Sequence, residues 1–493
     1  MQKRKEAAFS SFFLSKSLEI VRSIMKEKGK YLKLIILISV IVMISVICTA
    51  IITTKMVSNT PESIETSQTV SVLEDRMYDN AEIISCSDGV IVYKWNGQYY
   101  ECSGQLEKDY LGVADIEVKK HQIVRVKVKK QEMTSEKRIS VLLKNGNEIT
   151  YPSVWIASDT QLYLNGKGIQ KKQLNISDYM EKKNKTNVFV TTKSGKMYYG
   201  PSKNEVKKQG YEGTFYIIKE DSSYVVVNEI GLEDYIRYVL PSEMPSYFSM
   251  EALKAQAVCA RTFAYVQMNN YKYAQYGADL DDTTAFQVYN AGGTNERTDE
   301  AVKKTRGKVL TCNNRLVECY YFSTSSGRTE NMEVWGGNTP EYIKQVKSKD
   351  KISPYYSWCA TLSLKKYYDP EHGKLKKIRI DKKSDCGYVL KLTAIFEKDT
   401  VVLAKENEIR QFLGKYMKSI TLQDGSVRTD ISWIPSACFE ILSKKGSTYK
   451  IKGGGYGHDI GMSQYGAQML AEKGKTYKEI LKYYYKNVSI SSK

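Results

Sequence analysis

The feature that most limits what this chain can fold into is an uncharged, largely apolar run at residues 34–52. A helix of that length rises about 1.5 Å per residue and covers roughly the 30 Å hydrocarbon core of a bilayer. The sequence therefore predicts one transmembrane helix over residues 34–54. A cleaved signal peptide is the alternative, but the run is longer than a usual signal-peptide core and follows a leader of 33 residues.

The charges around this run predict its orientation. The leader, residues 1–33, holds nine Lys/Arg and three Glu, which places the N-terminus in the cytoplasm and the rest of the chain outside the membrane. Of the net charge of +19, the leader contributes 9 − 3 = +6, so the exported part carries +13. A basic surface can bind nucleic acid, but export and the lack of any nucleic-acid-binding signature favour an anionic cell envelope as partner.

Length and local patterns predict several domains. A polar linker follows at residues 55–74, and residues 75–180 alternate short β-branched and aromatic runs with Asn-Gly turn signals. This pattern predicts one or two small β-rich modules, whose role it does not define. Beyond them, strand-like and helix-like patterns mix over residues 187–490. The predicted fold class is an α+β catalytic domain preceded by the β-rich module or modules and a single N-terminal transmembrane helix.

Cysteine and histidine usage bears on metal sites and disulfides. The chain has nine cysteines with no Cys-x-x-Cys pair, and only three histidines, which argues against a Cys/His metal site. Disulfides are permitted outside the membrane, and Cys86 with Cys102 is a plausible local pair. The 38 tyrosines against 12 phenylalanines fit a sugar-binding groove, and they equally fit ordinary β structure.

The hexapeptide LPSEMP at residues 240–245 holds the first candidate catalytic group. Pro241 and Pro245 fix their own φ angles and push the residues before them toward extended conformations. Glu243 is therefore expected on a stiffened turn at the entrance of the helix that follows Ser249. A carboxylate held in fixed geometry suits general acid–base catalysis. The alternative is an ordinary loop that contains a glutamate.

Five separated segments then occur in a recognisable order. They are GLEDYIRYVLPSEMP (231–245), EALKAQAVCARTFA (251–264), DLDDTTAFQVY (279–289), YYFSTSSGRTENMEVWGG (320–337) and GGGYGHDIGMSQYGAQMLAEKGKTYKEILKYYY (453–485). Together they resemble the stage II sporulation protein D family, which shares its domain with the amidase enhancers of bacterial cell walls. The resemblance covers roughly residues 187–490.

The resemblance implies a membrane-anchored lytic transglycosylase of peptidoglycan. Such enzymes cleave the bond between N-acetylmuramic acid and N-acetylglucosamine without water and leave a 1,6-anhydro sugar. The family's catalytic glutamate corresponds to Glu243. One carboxyl is enough, because it protonates the glycosidic oxygen and then accepts the proton of the substrate's own C6 hydroxyl. To be protonated near neutral pH its pKa must be raised, and Leu240 and Met244 are the expected apolar neighbours.

Other motif residues are candidates for binding substrate. Gln256 and Arg261 lie five positions apart on one predicted helix, so they point about 140° apart and cannot share a site directly. Arg261 is suited to a muramyl or stem-peptide carboxylate, with a structural salt bridge as the alternative. Asp281, followed by Asp282, belongs to a polar family segment, and a structural turn is the alternative there.

The last two motifs supply the remaining candidates. Ser323 and Ser325, with Thr324 and Ser326 beside them, resemble a family segment that lines the substrate groove. His458 and Gln464 are suited to hydrogen bonding a sugar or orienting the catalytic glutamate. The alternative for the histidine is a tight glycine-rich turn in which its ring is satisfied structurally.

The sequence departs from the family at one point. Some members hold zinc on Cys and His residues in the segment aligned with residues 279–289, but here the corresponding positions read Asp281, Ala285 and Phe286. We therefore expect no metal and no cofactor. The expected partners are peptidoglycan strands, the membrane through one helix, and a cell-wall amidase with other envelope proteins, with no nucleic acid. The alternative to an enzyme is an amidase enhancer that binds the wall and stimulates a partner amidase, and a purely structural wall anchor would leave the five motifs unexplained.

Overall fold

The computed structural model describes residues 75–87, 90–95, 98–103, 112–120, 122–131, 137–206, 208–270, 272–290, 293–429 and 431–493. The predicted leader, transmembrane helix and linker lie outside these residues. In the ranges just given, no helix is both long enough and apolar enough to cross a bilayer.

The first described element group is a small closed sheet. Its strands are β1 (Arg76–Ser87), β2 (Val90–Trp95), β3 (Gln98–Ser103), β4 (Gly112–Lys119) and β5 (Gln122–Gln131), in the order β1-β2-β3-β5-β4. Tyr78 and Tyr93 pack edge to face in its interior, with Ile116 and Val118 buried beside them. Alternating aromatic and β-branched residues suit such a surface, because every second side chain points inward. This sheet covers residues 76–131 of the range 75–180 over which β-rich modules were predicted.

The register of this sheet argues against the disulfide suggested by the sequence. Cys86 pairs with Ile91, and Ile91 pairs with Cys102, so a whole strand lies between the two cysteines. Two strand spacings amount to about 9.5 Å, which is beyond the reach of a disulfide. Cys102 is a buried free thiol. The expectation of a Cys86–Cys102 pair was wrong because nearness along the chain did not give nearness across the sheet.

The largest sheet runs through the middle of the chain. It contains β6 (Arg138–Leu142), β7 (Thr150–Tyr151), β9 (Leu162–Leu164), β10 (Lys167–Ile169), β12 (Asn187–Thr192), β14 (Thr214–Glu220), β15 (Ser223–Gly231) and β16 (Leu280–Asp281). A smaller sheet joins β8 (Trp155–Ser158), β11 (Gln173–Asn175) and β13 (Met197–Gly200). Strands from both sides of the boundary expected at residues 180–187 therefore pair with one another.

The described residues form seven α-helices. They are α1 (Ile176–Lys182), α2 (Leu232–Glu243), α3 (Met250–Met268), α4 (Glu296–Lys304), α5 (Glu406–Tyr416), α6 (Gln464–Glu472) and α7 (Tyr477–Tyr484). Helix α3 is the central one, because most of its side chains are buried against α2, α4, α6 and α7. Its run of Ala residues permits this close packing on several sides. Ser249 occupies the N-cap position, but its side chain makes no capping hydrogen bond.

The LPSEMP segment ends helix α2 and does not form a separate turn. Pro241 lies inside the last turn of α2, and Glu243 is its final residue. Pro245 disfavours helical geometry at the residue before it, so Met244 is extended, with φ −131° and ψ 135°. The expectation that Glu243 stands at the entrance of the following helix was therefore wrong. It stands at the C-terminus of the preceding one, and Leu240 is buried with the rest of that helix.

The C-terminal half adds smaller sheets. The strands are β17 (Lys308–Cys312), β18 (Arg315–Leu316), β19 (Tyr321–Phe322), β20 (Trp358–Ser363), β21 (Leu375–Lys383), β22 (Val389–Phe396), β23 (Thr400–Leu403), β24 (Met417–Leu422), β25 (Val427–Arg428), β26 (Phe439–Lys445), β27 (Thr448–Gly453), β28 (Met462–Ser463) and β29 (Ser489–Ser492). Their sheets have the orders β18-β17-β29, β25-β24-β20-β27-β26 and β21-β22-β23. The parallel pair β19–β28 brings the fourth and fifth sequence motifs together. The predicted mixed α+β character is confirmed.

Candidate active site

A cleft of about 220 Å³ collects residues from all five sequence motifs. It is lined by Glu243, Phe263, Thr284, Ala285, Phe286, Cys319, Tyr320, Tyr321, Trp335 and His458. The fold brings these together because α2 ends at the cleft, α3 forms one wall, and β19 lies beside the glycine-rich segment that precedes β28. Glu243 is the one carboxylate among these lining residues.

The Glu243 side chain is partly buried and held in place by two hydrogen bonds. The Val288 backbone N–H donates to Oε1 at 2.7 Å, and the Tyr321 hydroxyl is the second partner. Burial raises the pKa of the Glu243 carboxyl to about 7, while the two hydrogen bonds act in the opposite direction because they favour the carboxylate. The group is therefore close to half protonated at neutral pH.

The source of that burial differs from the sequence expectation. Leu240 and Met244 are buried in the core, and neither lines the cleft. The apolar surroundings on the cleft side come instead from aromatic side chains of other motifs, namely Phe263, Phe286 and Trp335. Sequence neighbours at the end of a helix point in different directions, so adjacency to Glu243 did not predict contact with its carboxyl.

Tyr321 is itself held by a chain of buried polar groups. Gln287 donates from Nε2 to the Tyr321 hydroxyl oxygen at 3.0 Å and to the Ala260 carbonyl at 3.3 Å, and its Oε1 accepts from the Tyr235 hydroxyl at 3.1 Å. Because the Tyr321 oxygen accepts from Gln287, its own hydrogen is free to point at Glu243. Sequence reasoning missed Tyr321 and Gln287, although both lie in the motifs that carried the resemblance.

His458 faces the same cleft as a neutral ring. Its Nδ1 accepts from the Ile460 backbone N–H at 3.1 Å, so the proton of the neutral imidazole resides on Nε2. Burial lowers the pKa of His458 to about 3, and the Arg410 charge acts in the same direction. The ring packs between Phe322 and Trp335, at centroid distances of 5.6 and 4.8 Å. The ring is hydrogen-bonded to the backbone at Ile460 and at Tyr321, and it is not a proton source near neutral pH.

Two predicted substrate-binding residues on α3 lie away from the cleft lining. Arg261 is fully buried and forms a two-pronged pair with Glu233, with both N···O distances at 2.7 Å. The salt-bridge alternative is thus the arrangement observed for Arg261. Gln256 is fully buried as well, and neither of its amide atoms has a hydrogen-bond partner among the described residues. As predicted, the two side chains do not share one site.

For Asp281 too, the alternative of a structural turn is the arrangement observed. Its carboxylate accepts from the Tyr273 hydroxyl at 2.8 Å and from the backbone N–H and hydroxyl of Thr283 at 2.9 and 2.6 Å. These bonds hold the turn that leads to the cleft residues Thr284, Ala285 and Phe286. Among the residues the structure describes, no group of three or more His, Cys, Asp or Glu could hold a metal ion.

The serine segment lies against a second buried carboxylate, Asp350. The Ser325 N–H and the Ser348 hydroxyl each donate to Asp350 at 2.6 Å, and the Ser463 hydroxyl donates to it as well. Ser323 contributes its carbonyl, which accepts from the Ser463 hydroxyl at 3.2 Å. Gln464 is buried as the first residue of α6. None of Ser323, Ser325 and Gln464 lines the cleft of Glu243.

Comparison with known proteins finds relatives of the region that contains this cleft. The sequence model of the stage II sporulation protein family matches residues 220–312, which include Glu243 and Gln287. A stage II sporulation protein D of Bacillus subtilis (strain 168) is 37% identical over 284 residues, covering 54% of this chain and 76% of the relative. An amidase enhancer of the same strain is 32% identical over 294 residues, covering 52% of this chain and 40% of the relative. An uncharacterised protein of Brachyspira hyodysenteriae is 31% identical over 282 residues, covering 57% of this chain and 72% of the relative.

Proposed function

This chain belongs to the stage II sporulation protein D family, and on that premise we propose that it is a peptidoglycan lytic transglycosylase with Glu243 as its catalytic acid and base. The proposed reaction cleaves the glycosidic bond between N-acetylmuramic acid and N-acetylglucosamine. It forms a 1,6-anhydro end and consumes no water. The biological setting is remodelling of the cell wall, with sporulation as one occasion for it.

The observation that carries the proposal is a single carboxyl group in the cleft with a pKa of about 7. A hydrolase of the common two-carboxylate type needs a second Asp or Glu across the scissile bond. The described lining residues supply no such group. A lone carboxyl that is near half protonation can give its proton in one step and accept a proton in the next, which is the sequence this reaction requires.

The neighbours of Glu243 have distinct roles in this mechanism. Protonation of the glycosidic oxygen leaves Glu243 as a carboxylate, which the Val288 N–H and the Tyr321 hydroxyl stabilise. The carboxylate then removes the proton of the C6 hydroxyl as that oxygen attacks the anomeric carbon. Trp335 offers an aromatic face to a pyranose ring, and the neutral ring of His458 lines the cleft beside it.

We also propose that residues 34–54 anchor the chain in the cell membrane as a single span. The basic leader then lies in the cytoplasm, and the cleft faces the cell wall. Protease added to intact protoplasts should remove the C-terminal body and spare an epitope placed before residue 34. Protection of the body would contradict this orientation.

The test of the activity is digestion of purified glycan strands by the full chain in detergent, with products identified by mass. Strands with and without stem peptides are both included, since we expect a preference for peptide-free strands. The wild type should release anhydro-ended fragments and Glu243→Gln none. Equal activity in the two proteins would remove Glu243 from the mechanism.

A second function is favoured by the similarity to the amidase enhancer, which is 32% identical to this chain. In that case the chain binds the wall and stimulates a partner amidase without cutting glycan. The same digestion distinguishes the two functions when a purified cell-wall amidase is added. Faster release of stem peptides with both wild type and Glu243→Gln, and no anhydro ends with either, would favour the enhancer.

A further inference from the structure

A conspicuously exposed aromatic side chain follows the catalytic glutamate. Tyr247 is 74% exposed, more than any other large apolar side chain in the described part of the chain. Its backbone is nevertheless fixed on both sides, because the Arg297 guanidinium donates to the Ser246 and Phe248 carbonyls at 3.0 and 2.9 Å. Farther along, the Ser249 N–H donates to Gln468 Oε1 at 2.7 Å. The fold therefore presents this ring to solvent in a fixed position.

Tyr247 is the first member of a series of four aromatic rings, which we call the tyrosine row: Tyr247, Tyr465, Tyr355 and Tyr456. The Phe248 ring contacts both Tyr247 and Tyr465 edge to face, at centroid distances of 5.3 and 5.1 Å. Burial raises the pKa of Tyr465, and the neighbouring phenol groups of Tyr247 and Tyr355 raise it further. Tyr355 stacks on Tyr456 with ring centroids 4.6 Å apart and planes 22° apart. Tyr456 is 40% exposed. The row thus combines apolar faces with hydroxyl groups at a solvent-accessible surface.

Three residues of the row are close to cleft residues along the chain or through one backbone hydrogen bond, although none of the row lines the cleft itself. Tyr247 comes four residues after Glu243, and Tyr456 comes two residues before His458. The Tyr465 N–H donates to the carbonyl of Ser323, two residues after Tyr321, at 3.0 Å. The row therefore belongs to segments that adjoin the cleft.

The size of the cleft requires such an extension if the substrate is a polymer. Its volume of about 220 Å³ is below the ~300–1,000 Å³ typical of pockets for drug-sized ligands, so it holds little more than one sugar ring. The neighbouring sugars of a strand must lie on the surface outside. Tyrosine suits that surface because its face packs on the apolar C–H groups of a pyranose and its hydroxyl bonds to sugar hydroxyls.

We infer that the tyrosine row is an extended binding surface for the glycan strand, holding the sugars that flank the bond presented to Glu243. This inference rests on the proposed function, since it takes the cleft to be the site of glycan cleavage. It assigns the row a role in affinity for long strands and in their alignment. Contact with a single short fragment in the cleft does not involve it.

The experiment measures glycan binding as a function of length, with the full chain carrying Glu243→Gln in detergent so that no cleavage occurs. The probes are peptide-free oligosaccharides of about two and about eight sugars. Adding Tyr247→Ala or Tyr456→Ala should weaken binding of the longer probe about fivefold, which is about 1 kcal/mol, and leave the shorter one unchanged. Tyr247→Trp, which keeps an aromatic face, should retain tight binding.

The matched control is Tyr368→Ala, because Tyr368 is 55% exposed and lies outside the row. Binding of the longer probe by both row variants as tightly as by this control would overturn the inference. Failure of the Glu243→Gln chain to bind the longer probe at all would also overturn it.

Cleavage by the otherwise wild-type chain is measured separately. Anhydro products with no effect of the row variants on binding would refute the row alone, whereas length-dependent binding without cleavage would refute the proposed activity.

Discussion

Glu243 and Asp350 are both carboxylates that burial makes harder to ionise, yet their surroundings differ in one decisive respect. Burial raises the pKa of each. Asp350 is fully buried, and hydroxyl or N–H donors bond to both of its oxygens. A Cβ on Gly466 would come within 2.8 Å of Asp350 Oδ1, so no room remains beside it. Glu243 has two partners and faces the cleft. Burial alone is therefore not enough for the catalytic role proposed for Glu243, which also needs a side that is open to substrate.

The largest expected effect is on the rate of glycan cleavage, which should depend on Glu243 and not on Asp350. Glu243→Gln should lower the rate of glycan cleavage by about 10³-fold, within the range of ~10²–10⁴ for general acid–base catalysis, because the amide cannot transfer a proton. Asp350→Asn should keep a wild-type rate per folded molecule, since its side chain does not face the cleft. Rates are measured in single-turnover reactions, with folded protein quantified by circular dichroism. An equal loss of rate in the two variants would contradict the distinction between Glu243 and Asp350.

The second effect is on the free energy of unfolding, which should depend strongly on Asp350. Asp350→Ala should lower the free energy of unfolding by about 3 kcal/mol, because it leaves the buried donors of Ser325, Ser348 and Ser463 without their acceptor. The measurement is urea unfolding. The matched control is Asp424→Ala, because Asp424 is an exposed aspartate that accepts from Ser426, and its loss should cost under about 1 kcal/mol. Equal losses for the two variants would show that Asp350 is not a structural brace.

The third effect concerns stability and pH at Glu243. Its folded pKa of about 7 lies above the ordinary value of 4.5, so the folded state binds the proton more tightly than the unfolded state does. The stability associated with that proton is fully present below pH 4.5 and is lost as the pH rises through 7. Glu243→Gln should therefore raise the unfolding free energy at pH 8 by about 3 kcal/mol relative to wild type, with a much smaller difference at pH 4.5. A difference that does not change with pH would contradict the raised pKa.

The smallest of the expected effects comes from Tyr321. Tyr321→Phe removes a hydrogen bond that favours the Glu243 carboxylate, so the pKa of Glu243 should rise further. The midpoint of the pH–rate profile should therefore shift upward. The rate at neutral pH should fall about tenfold, equivalent to about 1.4 kcal/mol, because the carboxylate that forms during proton transfer loses one of its two hydrogen bonds. Tyr320→Phe is the control, because Tyr320 also lines the cleft but donates its hydroxyl to Glu318 at 2.6 Å. An unshifted midpoint in Tyr321→Phe would exclude Tyr321 as the residue that positions Glu243.

The sequence predicted the carboxylate of this site better than its surroundings. Glu243 and His458 could be identified because they lie in distinctive motifs, and the structure brings both to one cleft. Tyr321 and Gln287 lie in equally distinctive motifs, but their contribution depends on a chain of hydrogen bonds between α3, β19 and the segment before Val288. No spacing along the chain encodes such contacts.

Arg261 and Ser325 are the opposite case, because the sequence suggested them for the site and the structure places them outside it. Arg261 was expected to bind substrate because its charge suits a muramyl or stem-peptide carboxylate, and Ser325 because it resembles a family segment that lines the substrate groove. The structure places Arg261 in a buried pair with Glu233 and Ser325 on Asp350. A family motif contains residues that the fold needs as well as residues that act on substrate. A buried charge needs its partner, because removing either one leaves the other charge buried and unpaired. Likewise, the β-rich module was predictable from alternating residues, whereas sheet pairing across residues 180–187 depends on long-range register.

The central claim is that one carboxyl performs the whole reaction and that the C6 hydroxyl, not water, attacks the sugar. Cleavage of peptide-free glycan strands by the wild-type chain in ¹⁸O-labelled water tests this most directly, with the masses of the new ends read at early times before reducing ends exchange oxygen. The account predicts new ends that carry no ¹⁸O and are lighter than the hydrolysis product by one water. New reducing ends that carry one ¹⁸O atom would show hydrolysis and would contradict the single-carboxyl mechanism.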